Sequence, residues 1–252
     1  MINLQECFPD KTSAEHVNIA KDNFRHIGYL LAEAGFSWWR SSAAIEKLCQ
    51  VSGTEHIDQA LSAGNGVILL TAHMTSLELG GQALGMRYPT HLMYKKSRNV
   101  LAEVIIQRGR QRFARNIFTH TNLRMIIKGL RANEAIWYAP DQDFGPHRSV
   151  FANFFDIPTA TIPMTGQLVK KTKAAVVPFY PIRLPNHQGL EIKVLPPLRN
   201  LDALDDIVGA EAVNRSIQEA VAAHPEQYMW LHRRFKTRPA GLPELYRKKS
   251  VK

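Results

Sequence analysis

The chain reads as an α/β protein, a largely parallel central sheet flanked by helices, and three observations predict it. Short apolar runs recur at Val67–Thr71, His91–Tyr94, Asn116–Thr119, Ala135–Ala139, Ala174–Tyr180 and Glu191–Leu195. Patterns of helical period lie between them, near Leu77–Met86, Val100–Arg112, Leu123–Arg131 and Ile162–Lys173; such alternation builds parallel sheets with helices on both faces. Hydrophobic residues make up 45% of the 252, enough for a substantial core. No internal repeat, low-complexity tract or linker breaks the chain, so residues 1–252 read as one domain.

Each element has its own signal. Thr12 and Glu15 form a capping box at the head of a long first helix, in which Phe24, Ile27, Leu31 and Ala34 recur at helical spacing. The aromatic cluster Phe36, Trp38 and Trp39 follows Gly35; core is the expected place for it, with a membrane interface as the alternative. A late helix near Ala210–Ala223 stops before His224-Pro225, and a basic tail ends the sequence.

Lys and Arg number 32 against 22 Asp and Glu, a net charge of +10. Such a balance selects anionic partners: nucleic acid, acidic lipid, a phosphorylated substrate or an acidic protein. Cys7 and Cys49 match neither a disulfide framework nor a zinc site. No run approaches the roughly 18 apolar residues of a membrane helix, and the N-terminus lacks a signal-peptide pattern.

The most informative feature is His73 followed by Glu78, in Gly66–Leu79. A strand-like run delivers the histidine to its C-terminal end, the edge of an open α/β sheet where ligands bind. On one continuous helix two residues five apart diverge by about 140°. With His73 in the turn and Glu78 in the first helical turn they converge, and the carboxylate can fix the imidazole tautomer and leave the other nitrogen as a base. The same residues fit a plain capping box, Thr75 to Glu78.

Three further segments hold chemistry. Lys95, Lys96, Arg98, Arg108, Arg110, Arg112 and Arg115 form a basic block. Arg108 continues an apolar, core-facing stripe through Leu101, Val104 and Ile105; Arg110 points elsewhere; Arg112 and Arg115 read as solvated. A guanidinium there can grip phosphate or stabilise developing charge. Asp141 and Asp143, in Tyr138–Pro146, stand at a strand's C-terminal edge, where they orient a hydroxyl, bind a cation or simply serve turn chemistry. Ser149–Phe155 is apolar enough to wall an acyl pocket, though core is the plainer role for each residue. His120, His224 and His232 are isolated.

In this order the motifs resemble the bacterial lipid A biosynthesis acyltransferases, the late-acylating branch of the glycerolipid acyltransferase superfamily. The likeness runs through Asn3–Pro9, Asn23-Phe24-Arg25, Gly66–Glu78, Tyr94–Asn99, Arg108-Gly109-Arg110, Ala139–Gly145, Ser149–Phe155 and Trp230–Lys236. The resemblance implies acyl transfer from acyl carrier protein to a hydroxyl of a phosphorylated glycolipid, a lipid A precursor, without cofactor or metal. It makes His73 the general base and Glu78 its orienting partner. Arg110 becomes the first candidate for gripping substrate, followed by Arg98 and Arg108, with Asp141 and Asp143 shaping the site.

Members usually carry a transmembrane helix ahead of the stretch matched by Met1–Pro9. The expectation here is peripheral attachment to the cytoplasmic face of the bacterial inner membrane through the basic surface. Asn99-Val100 departs from the asparagine–proline of many relatives. The rival readings are transfer to another glycolipid or a phospholipid, a non-catalytic basic lipid- or nucleic-acid-binding module, and a metal-assisted hydrolase using His73, Asp141, Asp143 and His147. Chelator sensitivity marks the last; the acyltransferase reading involves no nucleic acid.

Overall fold

A computed structural model describes residues 1–94, 96–97, 99–119 and 122–246. Lys95, Arg98, His120 and the basic residues Arg247–Lys249, all singled out from the sequence, lie outside that set.

A seven-stranded sheet runs in the order β1 (Cys49–Ser52), β9 (Leu190–Val194), β8 (Ala175–Arg183), β2 (Val67–Leu70), β5 (Ala135–Tyr138), β3 (Thr90–Tyr94), β4 (Ala114–Thr119). From β8 to β4 every pairing is parallel; β9 pairs antiparallel with β8, and β1, parallel to β9, runs against the rest as well. All four residues of β2 are buried, as expected of a strand covered on both faces. Alternation then divides the core. Ile68 and Leu70 face α7 (Leu123–Arg131), α8 (Met164–Thr172) and α9 (Asp206–Ala223). Val67 and Leu69 face α3 (Ser42–Leu48), α4 (Glu55–Ser62) and α5 (Leu77–Arg87). Each large aliphatic buried this way contributes about 1.5–3 kcal/mol.

The six expected strands form, and three go unannounced by the sequence pattern. These are β1 and a separate antiparallel hairpin, β6 (Val150–Phe154) with β7 (Ile157–Thr161). That hairpin packs beneath α9, with Phe154 buried, so Ser149–Phe155 belongs to core and edge rather than to the cavity described below.

After α1 (Ile2–Cys7), α2 (Ser13–Trp39) begins with the expected capping box: Thr12 Oγ1 accepts from the Glu15 N–H, and Glu15 accepts from the Thr12 N–H. Its exposed side departs from expectation. Phe24, Leu31 and Trp39 are largely exposed, at 66%, 72% and 69%, because the buried face carries small and polar residues, His16, Asn23, Ala34 and Ser37. The stripe on α6 (Val100–Arg110) is likewise turned outward. Gly109 sits so close to the Trp38 ring that a Cβ there would come within 2.2 Å of it. This contact sets the rotation of α6 and leaves Val100, Leu101, Val104 and Arg108 exposed.

Gly66 and Gly81 are, like Gly109, required by space. Gly66 has φ +74° and a Cβ there would lie 2.4 Å from the Leu130 carbonyl oxygen, so the start of β2 admits no side chain. Gly81 on α5 lies against the Trp137 ring, with 2.1 Å from its Cβ position to the indole. Gly81→Val is expected to cost about 2–3 kcal/mol by overpacking, lowering the thermal midpoint by roughly 2–4 °C per kcal/mol for a chain of this size. Calorimetry reads this, and an unchanged midpoint contradicts the packing described.

Candidate active site

Parallel pairing of β2 with β5 aligns Leu70 with Tyr138. Three residues beyond each lie His73 and Asp141, so the register carries both to one point on the sheet's C-terminal edge. Asp141 holds the histidine twice. Its Oδ2 accepts the His73 backbone N–H at 2.8 Å, and its Oδ1 lies 2.6 Å from the ring Nδ1. The Asp141 side chain is 1% exposed and that of His73 29%. Burial alone would raise the Asp141 pKa, but the His73 charge and the hydrogen bonds from its ring and backbone drive it well below the ordinary carboxylate range. Burial alone would depress the His73 pKa; the Asp141 charge and hydrogen bond outweigh it and raise it above 6.5. With Asp141 ionised, Nδ1 carries the proton of the neutral ring and Nε2 is the lone-pair nitrogen.

The expectation that Glu78 orients His73 is therefore corrected: the carboxylate bonded to the imidazole is Asp141. Glu78, in the first turn of α5, is held by the Arg110 guanidinium through Nε (3.2 Å) and Nη2, and by the Trp38 indole N–H at 3.2 Å. Its charge still acts on His73 from a distance and favours the protonated ring. The alternative capping box is absent as well. Ser76 is the N-cap but makes no side-chain cap, and its hydroxyl donates to the Pro181 carbonyl at 2.8 Å.

The loop from His73 to Ser76 is clamped from the other side by a segment given no role in the sequence reading. Met229 N–H donates to the His73 carbonyl at 3.0 Å, and Thr75 N–H to the Gln227 carbonyl at 2.7 Å. The Gln227 side-chain amide bonds both the N–H and the carbonyl of Arg183, whose guanidinium pairs with Glu33 of α2 and reaches Thr75 Oγ1 at 3.3 Å. No motif signals Gln227 or Arg183, because their partners lie far along the chain.

His73 opens on a cavity of about 550 Å³. Leu77, Leu92, Met93, Trp137 and Phe144 supply its apolar wall, and Lys96, Arg110, Asp143 and Arg148 its charge. Arg110 also covers the Tyr94 ring at 5.6 Å. Asp143 accepts from Gly145 N–H and from both donors of Thr237. Its own N–H donates to His232 Nε2 at 2.9 Å, which brings a histidine given little weight to the site's edge. Burial lowers the pKa of His232 and keeps that ring neutral. Arg108 is exposed and does not line the cavity, and Arg98 lies outside the described residues. Arg112 and Arg115, expected to be solvated, bond the Trp38 and Arg40 carbonyls and Glu134 respectively.

The family model described as bacterial lipid A biosynthesis acyltransferase matches residues 1–237. The chain belongs to this family. Among its relatives, the lipid A biosynthesis lauroyltransferase of Escherichia coli K12 is 36% identical over 97% of this chain and 80% of its own. The palmitoleoyltransferase of the same organism is 35% identical over the same shares, and the myristoyltransferase 28% identical over 100% of this chain and 78% of its own. A solved 1-acyl-sn-glycerophosphate acyltransferase, PlsC from Thermotoga maritima, superposes with a TM-score of 0.43 at 14% identity, covering 88% of this chain and 91% of that one. That likeness is too distant to carry an argument. As a member of the family the chain is an acyltransferase.

The Glu78–Arg110 pair is mostly buried, at 14% and 16% side-chain exposure. Breaking a buried pair leaves an uncompensated charge and costs about 3–5 kcal/mol; with some solvent access, Arg110→Met is expected to cost about 2–4 kcal/mol. Adding Glu78→Gln should recover much of the loss. Denaturant unfolding of the single and double variants measures this, and additive losses contradict a coupled pair.

Proposed function

We infer that this protein transfers a fatty acyl chain from an acyl carrier protein thioester to a hydroxyl of a lipid A precursor, with His73 as the general base. The observation that carries the reading is the His73–Asp141 pair at the cavity, a hydrogen-bonded base whose free nitrogen is the one a hydroxyl can reach. The names of the relatives supply the acceptor class.

The acceptor hydroxyl gives its proton to His73 Nε2 as its oxygen attacks the thioester carbonyl. Asp141 holds the ring and stabilises the imidazolium that forms. The tetrahedral intermediate then collapses, the carbon–sulfur bond breaks, and the departing thiolate takes the proton from His73. An ester and a free thiol result, with no acyl-enzyme. Arg110, fixed by Glu78 at the cavity wall, presents positive charge toward the developing oxyanion. In this scheme Glu78 is a positioning residue that acts through Arg110.

A net charge of +10 suits an acidic carrier protein and a phosphorylated glycolipid. Among the described residues no helix is long and apolar enough to cross a membrane. Exposed Phe24, Leu31 and Trp39 on α2, together with the excess of basic residues, support attachment to the cytoplasmic face of the inner membrane, since stable anchoring takes two weak signals.

Mass spectrometry of a lipid A precursor incubated with acyl carrier protein thioesters tests the reading. The wild-type chain should add one acyl group, and His73→Ala should lower the rate by about 10²–10⁴-fold. No mass gain from the wild type with any donor overturns it. The same assay across pH carries a second expectation. The base works when neutral, so activity rises with pH through the raised His73 pKa; Asp141→Asn removes what raises it. The residual activity of that variant should therefore persist to lower pH. An acid limb that stays in place or moves upward contradicts the assigned role of Asp141.

A further inference from the structure

The charges on the cavity wall show where a substrate anion can be held. Among the described residues four basic side chains line it: His73, Lys96, Arg110 and Arg148. Two of them are committed, His73 to Asp141 and Arg110 to Glu78. The first candidate from the sequence, Arg110, is thus already paired with a protein carboxylate. The acid among the lining residues, Asp143, is occupied by three hydrogen bonds from Gly145 and Thr237 and forms no ion pair among the described residues.

Lys96 and Arg148 remain. Neither has a hydrogen-bond or ion-pair partner among the described residues. Lys96 has only the distant attraction of Glu103, whose carboxylate is bonded by the Tyr94 hydroxyl, the Ser97 N–H and the Gln107 amide. The backbone around Arg148 is fixed. It closes a 3-10 turn, Pro146–Arg148, entered through Gly145 at φ +80° and followed by β6, where Val150 pairs with Thr161. Two uncompensated cations lining one cavity, one a planar fork of donors and the other a point charge on a flexible stem, suit a phosphate group.

We propose that Lys96 and Arg148 form the phosphate subsite of this cavity, binding a phosphate carried by one of the two substrates while His73 acts on the hydroxyl. The proposal rests on the acyl-transfer reading above and names the residues and chemical group behind substrate recognition. Two sources offer that chemistry, a phosphate monoester on the glycolipid acceptor and the phosphodiester of the carrier protein's prosthetic arm.

Steady-state kinetics of Arg148→Ala, Lys96→Ala and Arg148→Lys test it with paired substrates. The acceptor is supplied with and without its phosphates, and the acyl group either on carrier protein or on N-acetylcysteamine, a thioester without phosphate. The alanine variants should lose about 10- to 100-fold in kcat/KM, mainly through KM, toward the phosphate-bearing member of one pair, the loss of a charge-assisted contact. Arg148→Lys should recover part of it. The pair that shows the difference identifies the source of the phosphate. Equal losses toward both members of each pair, or losses under about twofold throughout, overturn the subsite while leaving acyl transfer in place. A wild type that transfers nothing to any acceptor overturns the reading beneath it as well.

Discussion

The site depends on one contact, the two-point attachment of His73 to Asp141. A ring hydrogen bond alone would fix the tautomer but leave the loop free to carry the imidazole away. A backbone bond alone would fix the loop but not the ring. Asp141 makes both, from a side chain almost wholly removed from solvent, and its charge is stable there only because those donors compensate its burial. Its position follows from adjacent parallel strands in a register that places Leu70 beside Tyr138. The sheet thus sets the chemistry at its edge to within a residue.

Around that contact the molecule builds rigidity from distant parts of the sequence. The segment at Gln227–Met229 grips the far side of the His73 loop, and Arg183 ties that segment to α2 through Glu33. Asn23 reinforces it, donating to the carbonyls of Glu226 and Tyr228. Asn3 donates to the carbonyls of Trp230 and His232, so even the first helix steadies the strap. The exposed apolar face of α2 and the polar residues on its buried face have one cause, since this helix is fastened by hydrogen bonds as much as by burial.

The sheet was legible because its central strands β2, β5 and β8 are apolar on both faces and end at turns. The hairpin and β1 were hidden, as β1 alternates over only four residues and the hairpin strands do not alternate along their length. His73 was legible from its place after a strand, as was Asp141 as a strand-end acid. Their pairing was not, because sequence spacing favours the nearby Glu78, whereas strand adjacency brings in a residue 68 positions away. Arg108 misled for a related reason: the apolar stripe it continues is real, but Gly109 against Trp38 turns that stripe outward. The capping box of α2 was read correctly since both partners lie within one turn. The Thr75–Glu78 box, just as local, gave way to the Arg110 and Trp38 contacts of Glu78, so partner choice across elements is decided by packing.

The central claim is that Asp141, and not Glu78, governs the protonation of His73. Nitrogen-15 NMR of the His73 ring through a pH titration tests this directly. The account predicts a proton on Nδ1 in the neutral ring and a pKa above 6.5 in the wild type, both kept in Glu78→Gln apart from a small downward shift as a distant charge is lost. In Asp141→Asn the pKa should fall sharply and the tautomer preference weaken. A ring that keeps its pKa and tautomer in Asp141→Asn but loses them in Glu78→Gln would contradict the account.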